Sequence, residues 1–300
     1  MLNVFINILI LLSISIGIPT VIVGGLSLFK FKISKQIQTY LYAFTAGLII
    51  ILGTVGFLSE AISHAKDNFL NSNNNHAALK LQDTLTIIGV VGGGSILGII
   101  IALLSRVIFT KLSNKKGDLH NEHLDHNHHE FLFNPSDIDN KAMKWIPILL
   151  LLGHRLVDGI VLGFMANTID GGIANFENWG MIITFALHLI PTTIIIYLIQ
   201  LDIQNNNRLK SFLITFAILV LMIPFTLIGG FLINSIQTIW WLMPLFYAIS
   251  GSLMTIASVF EIIPEFIHNR NANLKQWVYT TLFLGSGIVI SILLITIHSH

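Results

Sequence analysis

Residues 145–166 read WIPILLLLGHRLVDGIVLGFMA, and this stretch decides the class of the protein. It is long enough to cross a bilayer, because a membrane-spanning helix needs about 20 predominantly apolar residues. Three ionisable side chains, His154, Arg155 and Asp158, interrupt the run near its middle. A charge at the centre of a bilayer costs about 2.5–3.5 kcal/mol on insertion scales, so it is rare there and faces a cavity or a partner. The stretch therefore predicts a membrane helix with a polar face.

A second apolar run, residues 181–200, carries His188 in its middle. On the first run, His154 and Asp158 are four residues apart and so project from one face of a helix. Imidazole and carboxylate groups on one helix, with an imidazole on the next, can converge on a divalent metal ion. The two runs together indicate a path for a metal ion through the membrane.

The composition places the whole chain in the membrane. Apolar residues make up 54% of it and charged residues 10%, whereas about a quarter of the residues in ordinary soluble domains are charged. The chain has no cysteine, which excludes disulfides and thiolate metal sites. A bound metal would therefore be held by His, Asp, Glu, Ser, Thr, Met or backbone oxygen. No basic stripe points to nucleic acid.

We predict an all-α, polytopic membrane protein, with residues 1–300 forming a single transmembrane domain. Runs of the required length number eight, here called spans 1 to 8, at about residues 4–29, 40–61, 85–109, 145–166, 181–200, 211–233, 239–263 and 277–297. Residues 110–144 then form a loop between spans 3 and 4.

Positive charge alternates sharply between the connections. The even-numbered connections hold only Lys66 and Lys80. The odd-numbered ones, together with the span ends next to them, carry Lys30, Lys32, Lys35, Arg106, Lys111, Lys115, Lys116, Lys141, Lys144, Arg208, Lys210, Arg270 and Lys275. The positive-inside rule therefore places the odd-numbered loops in the cytoplasm and both termini outside.

An internal repeat relates spans 2 and 7. Span 2 reads YAFTAGL from Tyr42 and span 7 reads YAISGSL from Tyr247, and Glu60 and Glu265 follow at the same distance. These spans cross in opposite directions, which is typical of an inverted repeat in a transporter with its substrate site near the midplane. We expect a 3+2+3 arrangement, with spans 1–3 related to spans 6–8. The alternative is a chance likeness between helices rich in small residues.

Four segments carry a resemblance to a known family. They are His154-Arg155-Leu156-Val157-Asp158-Gly159 of span 4, His188-Leu189-Ile190-Pro191-Thr192 of span 5, Ala43-Phe44-Thr45-Ala46-Gly47 of span 2 and Glu261-Ile262-Ile263-Pro264-Glu265 of span 7. With the topology and a His-rich loop after span 3, the chain resembles the zinc/iron permease (ZIP) family of divalent-metal transporters over nearly its whole length. The resemblance implies a divergent member with a degenerate binuclear site.

Three departures from the family pattern fall on one of its two metal positions. Arg155 stands where the family has Asn, Leu189 stands where it has an acid, and span 6 holds no acid. Thr192 stands where the family has the second His of span 5, and its hydroxyl is a weaker, neutral oxygen ligand. Arginine keeps its proton and offers no lone pair to a metal. The resemblance therefore implies that one metal position is lost and that a fixed positive charge stands near it.

We accordingly expect one metal site formed by His154, Asp158 and His188, with Thr192 and water as further ligands. Arg155 should point into the bundle and act as a gating or charge partner, pairing first with Asp158 and second with Glu261. The alternative is a degenerate relative in which an Arg155–Asp158 pair only holds two helices together.

The loop after span 3 has a metal-binding composition. Its histidines, interspersed with carboxylates, are His120, His123, His126, His128 and His129. In the predicted topology this loop is cytoplasmic, where it would capture or sense metal that has crossed the membrane. The alternative is a solvated linker whose histidines are incidental.

The predicted function is transport of a divalent transition-metal ion into the cytoplasm across the cell (plasma) membrane, a direction that follows from the resemblance. Zn²⁺ is the first choice, with Fe²⁺, Mn²⁺ or Co²⁺ as alternatives, because imidazole and carboxylate ligands favour such ions over Cu⁺. The metal is substrate, no organic cofactor is expected, and the partners are the lipid bilayer and metal ions, with a homodimer left open.

Two other classes compete with this prediction. A membrane-embedded hydrolase would use a His-Glu-x-x-His type of zinc motif with its own general base, which the chain lacks, so we expect no enzyme. A non-transporting, ZIP-like metal sensor or assembly protein would keep the fold and the His-rich loop. The replaced ligands make that the main alternative.

Overall fold

A computed structural model describes residues 2–29, 34–72, 81–117, 143–168, 177–231, 239–268 and 273–298. All regular secondary structure within these ranges is helical. Eight helical segments there are long and apolar enough to cross a membrane. The chain is therefore an all-α, multi-pass membrane protein, as predicted.

Spans 1 to 8 have the structural bounds Val4–Leu28, Lys35–Asp67, Leu81–Phe109, Trp145–Asn167, Phe185–Ile203, Arg208–Phe231, Leu242–Glu265 and Leu274–Thr296. The helices that contain them are Leu2–Leu28, Lys35–Ile51, Leu58–Ser72, Leu81–Gly117, Trp145–Thr168, Glu177–Ile203, Arg208–Val220, Met222–Phe231, Leu242–Ile256, Ile263–His268 and Leu274–His298. The helix of span 5 thus begins at Glu177, earlier than predicted.

Span 6 is interrupted at Leu221, between the helices Arg208–Val220 and Met222–Phe231. Pro224 explains the break, because proline has no backbone N–H and its ring clashes with the carbonyl four residues earlier, here that of Val220. The sequence pattern predicted this span without its interruption.

Spans 2 and 7 each contain a six-residue π-helical segment, Leu52–Phe57 in span 2 and Ala257–Ile262 in span 7. The two segments coincide when Tyr42 is aligned with Tyr247. π-helical turns are rare and occur often at functional sites. Hydropathy and periodicity gave no indication of them.

The packing of the outer spans follows the same alignment. Span 2 packs on span 8, and span 3 packs on span 7. A Cβ added at Gly287 of span 8 would lie 2.1 Å from the Phe44 carbonyl oxygen, and one added at Gly98 of span 3 would lie 2.7 Å from the Ile249 carbonyl oxygen. Phe44 and Ile249 are equivalent in this alignment. A glycine therefore allows the backbones to approach at equivalent places in the pair of spans 2 and 8 and in the pair of spans 3 and 7.

Spans 2 and 7 contact each other at two places, and the alignment of Tyr42 with Tyr247 maps each of these contacts onto the other. A Cβ at Gly53 would lie 2.7 Å from the Gly251 carbonyl oxygen. The Ser258 hydroxyl donates a hydrogen bond of 3.0 Å to the Ala46 carbonyl oxygen. Gly53 aligns with Ser258 and Ala46 aligns with Gly251, so each contact is the counterpart of the other.

Spans 4 and 5 are the most enclosed of the eight. In their most apolar windows 72% and 67% of the residues are buried, against 22% for span 8. Span 6 packs closely on span 4, since a Cβ at Gly163 would lie 2.1 Å from the Thr226 carbonyl oxygen. His154, Arg155, Asp158 and His188 therefore lie in the interior of the bundle.

Candidate metal centre

The side chains of His154, Asp158 and His188 are almost fully buried, with exposed fractions of 1%, 0% and 5%. The first two lie on helix Trp145–Thr168 and the third on helix Glu177–Ile203, all away from the helix ends. Burying ionisable groups at this depth of a membrane is costly. Residues of this kind are therefore kept there because they bind a partner or a substrate.

Asp158 lies between the two imidazoles. Its Oδ2 atom is 3.1 Å from His154 Nε2 and 3.4 Å from His188 Nε2. One ligand atom from each residue lies within 4.8 Å of the other two. A tetrahedral zinc ion, with bonds of about 2.0–2.2 Å, holds its ligand atoms roughly 3.3–3.6 Å apart. The structure thus brings the three predicted ligands together at distances that a small divalent cation could bridge.

Ser250 of span 7 orients the His154 ring. His154 Nδ1 and Ser250 Oγ form a hydrogen bond of 2.6 Å, and the Ser250 side chain is buried. Metal-binding imidazoles commonly use their second nitrogen in this way, which fixes the ring and leaves the other nitrogen for the metal. The sequence prediction missed Ser250, and the only signal for it was a small polar residue in the repeated segment of span 7.

Two aromatic rings enclose the imidazoles. Phe57 meets His154 edge-on with ring centroids 5.0 Å apart, and Phe185 meets His188 in the same way at 5.0 Å. Phe57 is the last residue of the π-helical segment in span 2. The sequence prediction missed both rings, since Phe residues are frequent throughout the spans. They give the three ligands an apolar surround that strengthens electrostatic interactions within it.

Gly159 allows the neighbouring helix to approach the site. A Cβ added there would lie 2.8 Å from the Met222 carbonyl oxygen of span 6. The glycine of the span 4 motif therefore has a packing role next to Asp158.

Arg155 points into the bundle, as predicted, but its hydrogen-bond partners are not the predicted ones. Its Nη2 atom donates to the Leu189 carbonyl oxygen at 3.0 Å, to Thr193 Oγ1 at 2.9 Å and to Thr192 Oγ1. Within the described ranges, no carboxylate oxygen lies at ion-pairing distance from the guanidinium. The predicted ion pair with Asp158 is therefore wrong, because the long side chain crosses to the hydroxyl groups of span 5 instead.

Glu261, the second predicted partner of Arg155, pairs with another arginine. Its Oε1 atom lies 2.6 Å from Arg106 Nη1 of span 3, and the two side chains are 14% and 11% exposed. The prediction that Glu261 serves Arg155 is therefore wrong. The sequence could not distinguish the two arginines, since both interrupt apolar runs.

Thr192 lies next to the candidate centre but is engaged elsewhere. Its hydroxyl accepts from Arg155 and lies 3.0 Å from the Leu189 carbonyl oxygen, to which it can donate. A hydroxyl oxygen that already accepts from a guanidinium is a poor ligand for a second cation. The structure thus connects Thr192 to Arg155 rather than to the three ligands.

Several buried polar atoms around the centre have no hydrogen-bond partner within the described residues. They are Asp158 Oδ1, His154 Nε2, Arg155 Nε and Arg155 Nη1. Buried polar groups are partnered in the great majority of cases, so each exception requires an explanation. His154 Nε2 lies 3.1 Å from Asp158 Oδ2 without hydrogen-bond geometry, and a cation bound between the three residues would engage this nitrogen.

The predicted capture residues His120, His123, His126, His128 and His129 lie outside the described residues. Their role as a metal-binding loop stays a prediction.

A scan against models of known protein families and a search of curated proteins find no match to this chain. The resemblance to the ZIP family therefore rests on the residues of spans 2, 4, 5 and 7, and membership stays a proposal.

Proposed function

We propose that this protein carries a divalent transition-metal ion, Zn²⁺ first, across the membrane through the site formed by His154, Asp158 and His188. One observation carries the proposal, namely that three buried side chains able to ligate a metal meet within 4.8 Å between spans 4 and 5. Fe²⁺, Mn²⁺ and Co²⁺ are the alternative cargoes, because imidazole and carboxylate groups also suit them.

The ligand set favours passage over permanent binding. Structural zinc sites are closed by four protein ligands, whereas sites with three ligands keep a position open for exchange. Asp158 supplies one negative charge, and both imidazoles bind a metal in their neutral form. A moderate affinity of this kind allows an ion to enter and to leave.

We further propose that spans 1–3 and 6–8 form an inverted repeat around spans 4 and 5. The coincident π-helical segments of spans 2 and 7 support it. So do the exchanged contacts, Gly53 with Gly251 and Ser258 with Ala46, because a two-fold relation requires every contact to have its counterpart. Such repeats allow a transporter to open alternately to the two sides of the membrane.

The orientation, the membrane and the family belong to the same proposal. Positive charge in the odd-numbered connections supports outer termini and a cytoplasmic connection between spans 3 and 4. Its first residues, 110–117, continue the helix of span 3 instead of forming the predicted loop. The ZIP-like segments support uptake across the plasma membrane by a member of that family. The histidines of the loop would then receive the ion on the cytoplasmic side.

A second candidate function is that of a non-transporting, ZIP-like metal sensor or assembly protein. The contacts of Arg155 favour it, since its guanidinium ties span 4 to Leu189, Thr192 and Thr193 of span 5. A fixed connection of this kind opposes relative movement of the two spans.

Uptake of Zn²⁺ into liposomes that contain the purified protein and an internal zinc dye tests the proposal. The wild type should take up Zn²⁺ faster than empty liposomes, and Asp158→Asn should reduce uptake to the empty level. Asp202→Asn is the matched control, because this carboxylate pairs with Lys144 at the helix ends, away from the site. It should retain uptake.

Absence of uptake by the wild type, with Zn²⁺ binding retained in detergent, would establish the sensor function instead. Equal uptake by the wild type and Asp158→Asn would show that the transported metal does not bind at this site.

A further inference from the structure

Arg155 carries a positive charge in the interior of the bundle, and its hydrogen bonds go to neutral groups. Its side chain is 1% exposed, and its guanidinium donates to oxygen atoms of span 5 from Nη2 alone. Its Nε and Nη1 atoms have no hydrogen-bond partner in the part of the chain that the structure describes. A charge at this depth of a membrane faces either an opposite charge or a water-filled cavity. Polar groups around Arg155 that could hold water are therefore of interest.

Span 5 has a polar face that begins at this guanidinium and continues toward the end of the span. It consists of Thr193, Tyr197 and Gln200, whose spacing of four and seven residues places them on one side of a helix. All three are buried, with exposed fractions of 0%, 1% and 0%. Thr193 Oγ1 accepts a hydrogen bond of 2.9 Å from Arg155 Nη2, so the polar face is in direct contact with the charge.

The two further members of this face have polar atoms without a partner. The hydroxyl oxygen of Tyr197 and both amide atoms of Gln200, Oε1 and Nε2, form no hydrogen bond with any described residue. Buried polar atoms are partnered in the great majority of cases, either by protein or by ordered water. A fully buried amide with neither of its atoms partnered therefore indicates bound water beside it.

Span 1 has a matching polar row next to this face. The Ser27 hydroxyl group lies beside that of Tyr197, although the two do not have hydrogen-bond geometry. Thr20 is seven residues earlier, on the same side of its helix, and its buried hydroxyl has no partner among the described residues. Spans 1 and 5 run in the same direction, since both are odd-numbered. The seven residues from Thr20 to Ser27 thus run parallel to the seven from Thr193 to Gln200.

This polar face is not the face that carries the candidate metal ligand. His188 is five residues before Thr193 and so lies about 140° around the helix from it. Asp202 is nine residues after Thr193, about half a turn away from it around the helix, and pairs with Lys144. Water on the face of Thr193 is therefore separated from the face of His188 by the helix itself.

We infer that the protein holds a column of bound water between spans 1 and 5, which extends from Arg155 toward the end of span 5 and hydrates the guanidinium. The residues that line the column, here called the water seam, are Thr20, Ser27, Thr193, Tyr197 and Gln200. The rise from the third of these to the last is about 10 Å. Water molecules at a hydrogen-bond spacing of about 2.8 Å would number roughly three over that length.

The water seam explains how a cation persists beside the candidate metal centre. Bridging water supplies hydrogen bonds nearly as favourable as direct ones, and it screens a buried charge. Arg155 then needs no carboxylate at ion-pairing distance. In the proposed orientation the seam faces the cytoplasmic side. The inference does not depend on metal binding.

Hydroxyl radicals generated from water by X-ray pulses test the water seam. They oxidise side chains that touch bound water, even where bulk solvent does not reach. Purified full-length protein in detergent, without added metal, is irradiated, and the oxidation of each tyrosine is measured by mass spectrometry of peptides. Tyr42 is the internal reference, because it is 2% exposed against 1% for Tyr197 and its hydroxyl interacts with Gln38. Tyr197 should be oxidised roughly tenfold faster than Tyr42, because ordered water contacts its hydroxyl.

Gln200→Leu should lower the oxidation rate of Tyr197 to that of Tyr42, because an apolar side chain of similar size gives the water no partner. Gln200→Asn keeps an amide and should retain most of the rate. Gln276→Leu is the matched control, since Gln276 is also buried, at 5% exposure, but lies on span 8. It should retain the full rate. A low rate for Tyr42 in each variant shows that the bundle is folded.

Equal oxidation rates of Tyr197 and Tyr42 in the wild type would overturn the inference, and that comparison needs no variant. A high rate for Tyr197 that persists in folded Gln200→Leu would overturn it as well, since the water would then not lie along this seam. Either result leaves the proposed function intact, because no metal is present in this experiment. Zinc uptake into liposomes tests that function separately.

Discussion

Two buried arginines lie within the described spans, and their surroundings differ. Arg106 of span 3 has a carboxylate partner, Glu261, at 2.6 Å. Arg155 of span 4 is more deeply buried, yet its hydrogen bonds go to neutral oxygens of span 5. The first arrangement neutralises a charge within the protein. The second keeps a positive charge beside the three candidate metal ligands. The same residue type thus has a structural role in one place and, under the proposed function, a role at the metal site in the other.

The largest effect should follow from breaking the first pair. Glu261→Gln leaves the Arg106 charge without its carboxylate, and loss of one partner of a buried ion pair costs about 3 kcal/mol. Unfolding by detergent titration should show this loss in the free energy of unfolding. Replacing both residues by Met removes both charges and should restore near wild-type stability; a double variant as unstable as Glu261→Gln would contradict the structural role.

Asp158→Asn tests the carboxylate near the second arginine. The amide keeps the shape of the side chain but removes the only negative charge among the three ligands, so Zn²⁺ affinity should fall by roughly a hundredfold, which is about 2.7 kcal/mol. Calorimetric titration measures it. Glu261→Gln is the comparison variant and should leave the affinity within about twofold, provided that it is folded. Comparable losses in both variants would mean that the two carboxylates do not differ in role.

Arg155→Met should have a smaller effect, and one of opposite sign on binding. The Leu189 carbonyl oxygen keeps the hydroxyl groups of Thr192 and Thr193 as donors at 3.0 and 2.6 Å, so stability should change by less than about 1 kcal/mol. Removal of a like charge should raise Zn²⁺ affinity by roughly tenfold. Arg106→Met, in contrast, should be destabilising. A fall in Zn²⁺ affinity in Arg155→Met would show that the guanidinium supports the metal directly.

The smallest effect in free energy should come from rebuilding the second metal position. Arg155→Asn combined with Leu189→Glu restores the residue types that the ZIP resemblance implies there. A second Zn²⁺ should bind, but weakly, because span 6 offers no acid to complete the position. The number of ions bound per chain, measured by calorimetry, should rise from one to two. An unchanged number would count against the family proposal.

The candidate site was predictable where local geometry decides it. His154 and Asp158 had to share a face because they are four residues apart on a helix. His188 was assigned to the same site through the ZIP resemblance, whereas hydropathy alone marks it only as a polar residue within an apolar run. Its position opposite Asp158 depends on how spans 4 and 5 rotate against each other, and that rotation is set by packing between the helices, which hydropathy does not report.

The sequence by itself determined the membrane class, the eight spans and the all-α fold. The physical reason is that a bilayer offers backbone groups no hydrogen bonds, so a long apolar run must become a helix. It also determined which residues could ligate a metal.

Only the tertiary structure decided which polar groups meet. In the structure Arg106 pairs with Glu261, Arg155 donates to hydroxyl groups of span 5, and Ser250 forms a hydrogen bond with His154. It also revealed the π-helical segments of spans 2 and 7. These features depend on close packing between helices distant in sequence, where one short polar contact has little competition from water.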